Sequence, residues 1–470
     1  MSHVQSGASC RHYFLPLIAA LFLQTPAALG APDDAIDLPD PGQLNPNAEA
    51  YRIVRERVPT LNRFRLVRLD TSTLASRARD GKPVRLPFAG HADSRLASIQ
   101  APVRDVVIDF NPVQIVAPGD RGLLIYEFGR GEIQTQSVDR PGRFGFVGQV
   151  RGQQRTTAGY ILQPDMVLGT TLIPNPPVGS SGISVIEPVK RLLSSNGATP
   201  QEVETVAASF NHVVYNSAAL ETYQLIDEED TGRVDSAKHH HEKDASRARI
   251  HEDISIYMMG DTQYTGNYVD TDAAFDDQLW TLFGVELITA VGEDGPNGND
   301  EFDINIDVTG QALWISGGPS STDPATLLEQ SYNQFPWSAI STAVNDIGLV
   351  HLFTGKNLDG NVIGKAWKIG GFDDACGTDY SVDGPCKQSV GQPQFGGNTW
   401  YTEVILMAHE LGHNLDAVHG DSDANYCAGS TCGPSIMNSS ISAGQVLFYS
   451  EDNAEAIADK VDAECANDDC

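Results

Sequence analysis

The stretch of sequence that decides the interpretation reads HELGHNLDAVH at residues 409–419. On a helix, His409 and His413 lie one turn apart on the same face, and Glu410 lies beside them. His419 follows the helix and can join them where the chain turns sharply. Three neutral imidazoles leave the fourth position of a tetrahedral zinc ion open for water, which is typical of a catalytic site. The spacing predicts zinc (Zn²⁺) bound by these three histidines; the alternative, a surface helix that carries them by chance, leaves the position of the third unexplained.

Strand and helix patterns alternate in the part of the chain around this stretch. Strands are predicted at residues 254–259, 302–315, 349–353 and 362–367, and helices at residues 275–291 and 327–344. A further helix carries the histidines, with Val404, Ala408, Leu411 and Leu415 as its core stripe and Ile405 on the face towards the site. This alternation predicts an α/β (α+β) domain with a mixed, twisted sheet.

The charge of the chain changes at about residue 250. From Ile250 onward there are 35 acidic residues, 5 lysines and no arginine, whereas the preceding part has 27 acidic and 26 basic residues. A shift of this size indicates a domain boundary, and residues 250–470 are numerous enough for one substantial core. So acidic a surface argues against nucleic acid and anionic membranes as partners.

Residues 1–30 have the pattern of a signal peptide. Arg11 and His12 precede an apolar run at residues 13–23, and Ala28 and Gly30 suit cleavage before Ala31. The apolar run is shorter than the ~20 residues that a membrane span needs. We therefore expect a secreted protein without a membrane span.

Residues 31–220 show short strand patterns separated by glycine and proline, for example at residues 106–110 and 122–126. They predict a small, mostly-β domain, interpreted as a folding or inhibitory unit because it contains no cysteine and no metal-ligand motif. Residues 221–249 are polar and predict a linker, with Arg247 and Arg249 as candidate cleavage points. A triple histidine at residues 239–241 could bind metal, but an exposed linker is the favoured interpretation.

Six of the seven cysteines lie in the C-terminal part, and Cys10 lies in the signal peptide. An even set in an exported chain predicts disulfides, although several connectivities are compatible with six cysteines. Cys427 and Cys432 are the favoured pair because they are close in sequence and bracket a turn. Zinc-ribbon ligation is the competing interpretation, but the spacings lack paired C-x-x-C units.

The histidine stretch resembles H-E-x-x-H-x-x-G-x-x-H of the metzincin metalloproteases, and Met437 in SIMN at residues 435–438 resembles their Met-turn. Residues 352–355 and 358–367 are similar to the upper-rim edge strand of the adamalysin/reprolysin branch. The segment from Cys427 to Cys432 looks like that branch's disulfide before the Met-turn. In the N-terminal part, residues 186–188 and 212–215 resemble the end of a reprolysin prodomain.

The resemblance implies a secreted zinc endopeptidase with a removable prodomain at residues 31–220 and a catalytic domain at residues 250–470. Glu410 would be the general base, and Met437 would form an apolar floor under the imidazoles. A protein or peptide substrate would pair with the edge strand, and the protein is expected to act as a monomer. The residues of that edge are Gly364, Lys365, Ala366 and Trp367.

Two positions depart from the family pattern. Asp416 stands where the family has glycine, and Asp is among the few residues that tolerate a left-handed backbone. Gly420 stands where the family usually has aspartate, which bears on the branch more than on the zinc chemistry. The alternative function is a catalytically silent, metzincin-like binding module; the intact Glu410 argues against it.

The resemblance also suggests a calcium (Ca²⁺) site near Asp253, Asp346 and Asn467. In so acidic a domain nearby carboxylates are expected in any case. Solvated carboxylates are therefore the favoured interpretation.

Overall fold

The computed structural model describes residues 48–89, 103–114, 123–128, 132–136, 144–153, 156–173, 182–220, 250–292, 302–334, 349–366, 388–392 and 399–415, with residues 417, 419, 436–438, 453 and 456–457. The predicted signal peptide, the predicted linker and all seven cysteines lie outside these residues. The predictions made for them remain predictions.

The N-terminal part, residues 48–220, is built on an eight-stranded antiparallel sheet. The sheet has the order β1-β10-β9-β8-β7-β6-β3-β2. Its strands are β1 (Phe64–Val67), β2 (Val84–Ala89), β3 (Val103–Gln114), β6 (Phe144–Val150), β7 (Thr157–Gln163), β8 (Met166–Leu172), β9 (Ile183–Pro188) and β10 (His212–Asn216). Two further strands, β4 (Leu123–Phe128) and β5 (Glu132–Gln136), belong to another sheet.

Four α-helices are described beside this sheet. The prediction of a mostly-β domain agrees with its strands, but these helices were not predicted. They are α1 (Ala48–Arg57), α2 (Thr71–Arg79), α3 (Val189–Ser195) and α4 (Pro200–Ala207). Helix α4 has a start signal that the sequence contains: Thr199 and Glu202 cap each other's backbone amides, and Pro200 occupies the first turn.

The C-terminal part is organised around a seven-stranded mixed sheet with the order β14-β15-β13-β11-β12-β4-β5. Its own strands are β11 (Ile250–Gly260), β12 (Phe302–Trp314), β13 (Leu349–Phe353), β14 (Gly364–Ala366) and β15 (Gln388–Gly391). Strands β15, β13, β11, β12 and β4 run parallel, and β14 and β5 are antiparallel at the two ends. The α/β (α+β) prediction is confirmed.

Four α-helices are described in this part: α5 (Thr262–Gly266), α6 (Thr271–Gly292), α7 (Pro324–Gln334) and α8 (Trp400–Asn414). Helix α6 agrees with the prediction within a turn. Helix α7 covers the first half of the predicted 327–344 segment, and residues 335–348 lie outside the described residues. Among the described residues no helix is long and apolar enough to cross a membrane.

The two parts of the chain share one sheet and one core. The β4–β5 hairpin comes from the N-terminal half of the sequence, yet β4 pairs in parallel with β12, from Leu124 opposite Gly310 to Phe128 opposite Trp314. A single cluster of buried apolar side chains contains residues of both parts, for example Ile161 and Phe283. The hydrophobic core is therefore continuous across the predicted domain boundary.

Helix α8, which carries the histidines, is buried along its whole length. One core stripe and one face towards the site were predicted for this helix, but every residue from Trp400 to Asn414 is buried. Helix α6 approaches it closely at Gly284, where a Cβ atom would lie 2.4 Å from a methyl group of Val404. The helix is covered on all sides because the N-terminal part, α6 and the sheet each contact it.

Candidate metal and catalytic site

Local backbone contacts explain where α8 begins and ends. At its start, Thr399 and Thr402 form a reciprocal capping box, in which each side chain accepts a hydrogen bond from the other's backbone amide. At its end, the amide of Ala417 donates to the carbonyl of Gly412 over 2.9 Å, which reverses the chain direction. This reversal returns His419 towards the helix.

The three predicted histidines converge on one point. The Nε2 atoms of His409 and His413 lie 3.1 Å apart, those of His409 and His419 lie 3.2 Å apart, and those of His413 and His419 lie 3.0 Å apart. Tetrahedral zinc with Zn–N bonds of about 2.0–2.1 Å requires N···N separations of about 3.3–3.4 Å. An opening of a few tenths of an ångström therefore suffices, and the three-histidine cluster fits a zinc site.

Hydrogen bonds on the far side of two rings fix their tautomers. Nδ1 of His409 lies 2.8 Å from the carbonyl oxygen of Ile436, and Nδ1 of His413 lies 2.9 Å from that of Ala417. A carbonyl can only accept, so each Nδ1 carries the proton and donates it. Each Nε2 then presents a lone pair to the common point, which is the arrangement a metal ligand needs.

Glu410 follows His409 on α8, and its carboxylate lies against the edge strand β14. Its side chain is 1 % exposed. Its Oε1 atom is so close to Gly364 of β14 that a Cβ atom there would lie only 2.0 Å away. The carboxylate therefore occupies the space beside the strand that the sequence analysis predicted as the substrate edge.

Met437 is fully buried in a turn that follows Ile436, whose carbonyl accepts the hydrogen bond from His409. The structure thus brings the predicted Met-turn next to the first histidine of the cluster. Lys365 and Ala366 lie on β14 and are half-buried. Trp367, Asp416, Gly420, Cys427, Cys432, Asp346 and Asn467 lie outside the described residues, as does the side chain of Asp253.

A further buried histidine near the site is not part of the cluster. His351 on β13 has Nδ1 at 2.7 Å from Oγ of Ser389, and its ring stacks edge-on against Phe353. Burial lowers the pKa of His351 to about 3. This ring is therefore neutral and serves the core of the sheet.

Sequence reasoning missed two residues of the N-terminal part that contact α8. The carboxylate of Glu187 accepts a hydrogen bond from the backbone amide of Trp400 over 3.2 Å, and Arg191 forms an ion pair with Glu403. Glu187 lies in a stretch noted only for its resemblance to a prodomain. In sequence, an arginine four residues after a glutamate ordinarily indicates an exposed pair, and here Glu187 lies near the end of β9 and Arg191 on α3.

Parts of the chain are similar to known metallopeptidases. Residues 251–449 match the model of Reprolysin_5, a metallo-peptidase family M12. Snake venom metalloproteinase trimerelysin-2 of Protobothrops flavoviridis is 38 % identical over 77 residues, which is 16 % of this chain and 32 % of that protein. The chain thus matches about a third of that relative's length. The crystal structure of metalloproteinase-II from Bacteroides fragilis aligns with a TM-score of 0.45 and 12 % identity, over 83 % of this chain and 96 % of that one.

The predicted family relationship is confirmed. The match spans the five strands of the C-terminal part, the histidine helix and the turn with Met437. Residues 251–449 thus resemble a reprolysin-like metzincin of metallo-peptidase family M12.

Proposed function

We propose that the protein is a secreted zinc endopeptidase that hydrolyses peptide bonds in proteins. The observation that carries the proposal is the convergence of three Nε2 atoms within 3.2 Å of one another, next to the buried carboxylate of Glu410. In this proposal residues 1–30 are a signal peptide, residues 31–220 a prodomain, residues 221–249 an activation segment and residues 250–470 the catalytic domain.

Each residue of the site has a separate role. His409, His413 and His419 would hold the ion through Nε2. A bound zinc ion would lower the pKa of a water molecule and polarise the carbonyl group of the substrate. Glu410 would accept the proton of the attacking water and pass it to the leaving amine. Met437 would support the imidazoles from below as an apolar surface.

The substrate is proposed to bind as an extended strand along β14. This strand is the outermost one of the described sheet and runs antiparallel to β15. An outer strand offers backbone amides and carbonyls to a peptide, which is recognition by strand addition. Gly364 to Trp367 would form this edge, and Gly364 lies directly against Glu410. Peptides and proteins are thus the proposed partners of a monomeric enzyme; calcium binding stays a prediction.

The test is to purify the full chain before and after cleavage in residues 221–249 and to measure hydrolysis of casein and of a quenched fluorescent peptide. Zinc content would be measured in parallel. We expect activity that a chelator removes and added zinc restores. Glu410→Gln should keep its zinc and lose about 10²–10⁴-fold in kcat, since general-base catalysis contributes about that much. Glu329→Gln, at an exposed position on α7, is the matched control.

Two outcomes would contradict the proposal. Equal activity of the wild type and Glu410→Gln would exclude Glu410 as the base. A wild type that binds zinc but cleaves neither substrate would favour the silent binding module.

A further inference from the structure

A buried arginine of the N-terminal part lies at the centre of a charge cluster that both parts of the chain form. The guanidinium group of Arg191 on α3 donates to Glu187 over 2.6 Å and to Asp277 of α6 over 2.8 Å. It also donates to Glu403 of α8. The side chain of Arg191 is 9 % exposed and the three carboxylates are at most 1 % exposed. One cation thus joins the N-terminal part to two helices of the metallopeptidase domain.

Hydrogen bonds complete the polar contacts of this cluster. Tyr215 donates to Glu187 over 3.2 Å, and Tyr264 and Tyr268 both donate to the second carboxylate oxygen of Asp277. Burial opposes the charge of Arg191, but the surrounding carboxylates of Asp277, Glu403 and Glu187 raise its pKa well above the usual value. The arginine is therefore charged at every pH at which the protein is folded.

The same cluster holds the start of the histidine helix. Glu187 accepts the backbone amide of Trp400 in the first turn of α8, where the free amides of a helix favour a negative charge. Glu403 lies one turn further along. The N-terminal part therefore supplies a cap and a charge partner to the helix whose other end carries His409 and His413.

Apolar contacts between the two parts are equally close. A Cβ atom at Gly145 of β6 would lie 2.5 Å from the ring of Phe283, and one at Gly159 of β7 would lie 2.0 Å from Leu287. Both apolar side chains belong to α6 and are nearly fully buried. The strand pair β4–β5 continues the other sheet next to β12. Interfaces of this kind, which resemble a core cut in half, are typical of permanent complexes.

We infer that the N-terminal part stays bound after cleavage in residues 221–249, as a permanent non-covalent subunit held by Arg191, and is not released. Release would expose Phe283 and Leu287 to water, remove Glu187 from the backbone amide of Trp400, remove two strands from the sheet and separate Arg191 from Asp277 and Glu403. Removing one partner of a buried ion pair strongly destabilises the folded protein, because the other charge is left without compensation. In this inference the N-terminal part is a structural subunit and not the removable prodomain that the family resemblance implies. The inference does not depend on peptidase activity.

The direct test places one recognition site for a specific protease within residues 221–249 of the full chain. The purified protein is cleaved completely and passed through a size-exclusion column at physiological salt, and the masses in each peak are determined. We expect both fragments in one peak at the elution volume of the uncleaved protein. Fragments that separate in buffer without denaturant, whether active or inactive, would overturn the inference.

A second measurement assigns the association to Arg191. The cleaved proteins are compared for the urea concentration at which the fragments separate. Arg191→Met should lower this concentration substantially, whereas Lys190→Met, which removes only an exposed pair with Glu204, should leave it unchanged. Arg191→Lys keeps the charge but cannot contact three carboxylates at once, so an intermediate value is expected. Equal values for the Arg191→Lys and Lys190→Met proteins would overturn the assignment to Arg191, even if Arg191→Met fails to fold.

Discussion

A single methyl group added at Gly364 is expected to displace the carboxylate of Glu410, the proposed general base. The Cβ atom of an alanine there would lie 2.0 Å from Oε1 and 2.7 Å from Cδ of Glu410. Real contacts of this kind are at least 3.0 Å, so the carboxylate must move by about 1 Å. A misplacement of about 1 Å at a reacting group lowers the rate by about 100-fold, which corresponds to about 2.7 kcal/mol in the activation free energy.

The folded state should tolerate this change. The atoms that must move belong to the end of a flexible side chain, and a rotamer shift of that size costs about 0.5–1.5 kcal/mol. Gly364 is not among the described glycines with positive φ, so an alanine fits the backbone there. We therefore expect Gly364→Ala to retain its zinc and its thermal stability while kcat falls about 100-fold and KM changes little.

The assay is steady-state hydrolysis of a quenched fluorescent peptide, with zinc content and melting temperature measured on the same samples. Gly391→Ala is the matched control, because this glycine pairs with Gly364 on the neighbouring strand. Its Cβ atom would meet Leu406 at 3.3 Å and His351 at 3.2 Å, and Glu410 is not among its nearest contacts. It should keep most of its kcat.

A double mutant separates displacement of the base from obstruction of the substrate. In a Glu410→Gln background, Gly364→Ala should cost little further activity, because the group that it displaces no longer acts. Additive losses in the double mutant, or a rise in KM with unchanged kcat, would refute the reasoning.

Two stability predictions follow from buried polar groups. Burial lowers the pKa of His212 to about 3, so this ring stays neutral in the folded state while the unfolded chain binds a proton below about pH 6.5. The contribution of the neutral ring to stability is therefore complete above about pH 6.5. It is lost as the pH falls towards 3, by about 1.4 kcal/mol per pH unit. Between pH 7.5 and 4.5 the free energy of unfolding, measured by urea titration, should fall less for His212→Gln than for the wild type, and equal falls would contradict this. Nζ of Lys356 lies 2.6 Å from Oδ2 of the fully buried Asp261. Lys356→Met would leave this carboxylate without its cation, so it should destabilise the protein by about 3–5 kcal/mol. Arg52→Met, which removes an exposed pair with Glu49, should lower the stability far less, and similar losses for Lys356→Met and Arg52→Met would contradict burial as the cause.

The elements that could be predicted from the sequence are those whose signals are local. Helix α6 and strands β11, β12 and β13 were placed within a few residues, because apolar periodicity depends only on neighbouring residues. The three histidines could be predicted as one cluster for the same reason. Two lie one helical turn apart, and the third lies only six residues further along the chain.

The rest depends on contacts between distant residues. The strand pattern of β4 is the same whether it pairs within the N-terminal sheet or with β12, so the sequence did not show which sheet it joins. Arg191 on α3 follows Glu187, near the end of β9, by four residues, and a Glu–Arg pair at this spacing ordinarily indicates a solvated pair. Its burial results from Asp277 and Glu403, which are 86 and 212 residues away.

Helix α8 is fixed at both ends by different parts of the chain, and this explains why it is buried on every side. Glu187 and Arg191 hold its first turn, and the carbonyl groups of Ile436 and Ala417 hold the histidine rings near its last. A helix held only at its histidine end could still tilt about that end. Because a rotation of the helix would move Glu410 relative to β14, the contact at the distant first turn helps to keep the proposed base within reach of the proposed substrate edge. The N-terminal part then contributes to the geometry of a site that it holds from the opposite end of the helix.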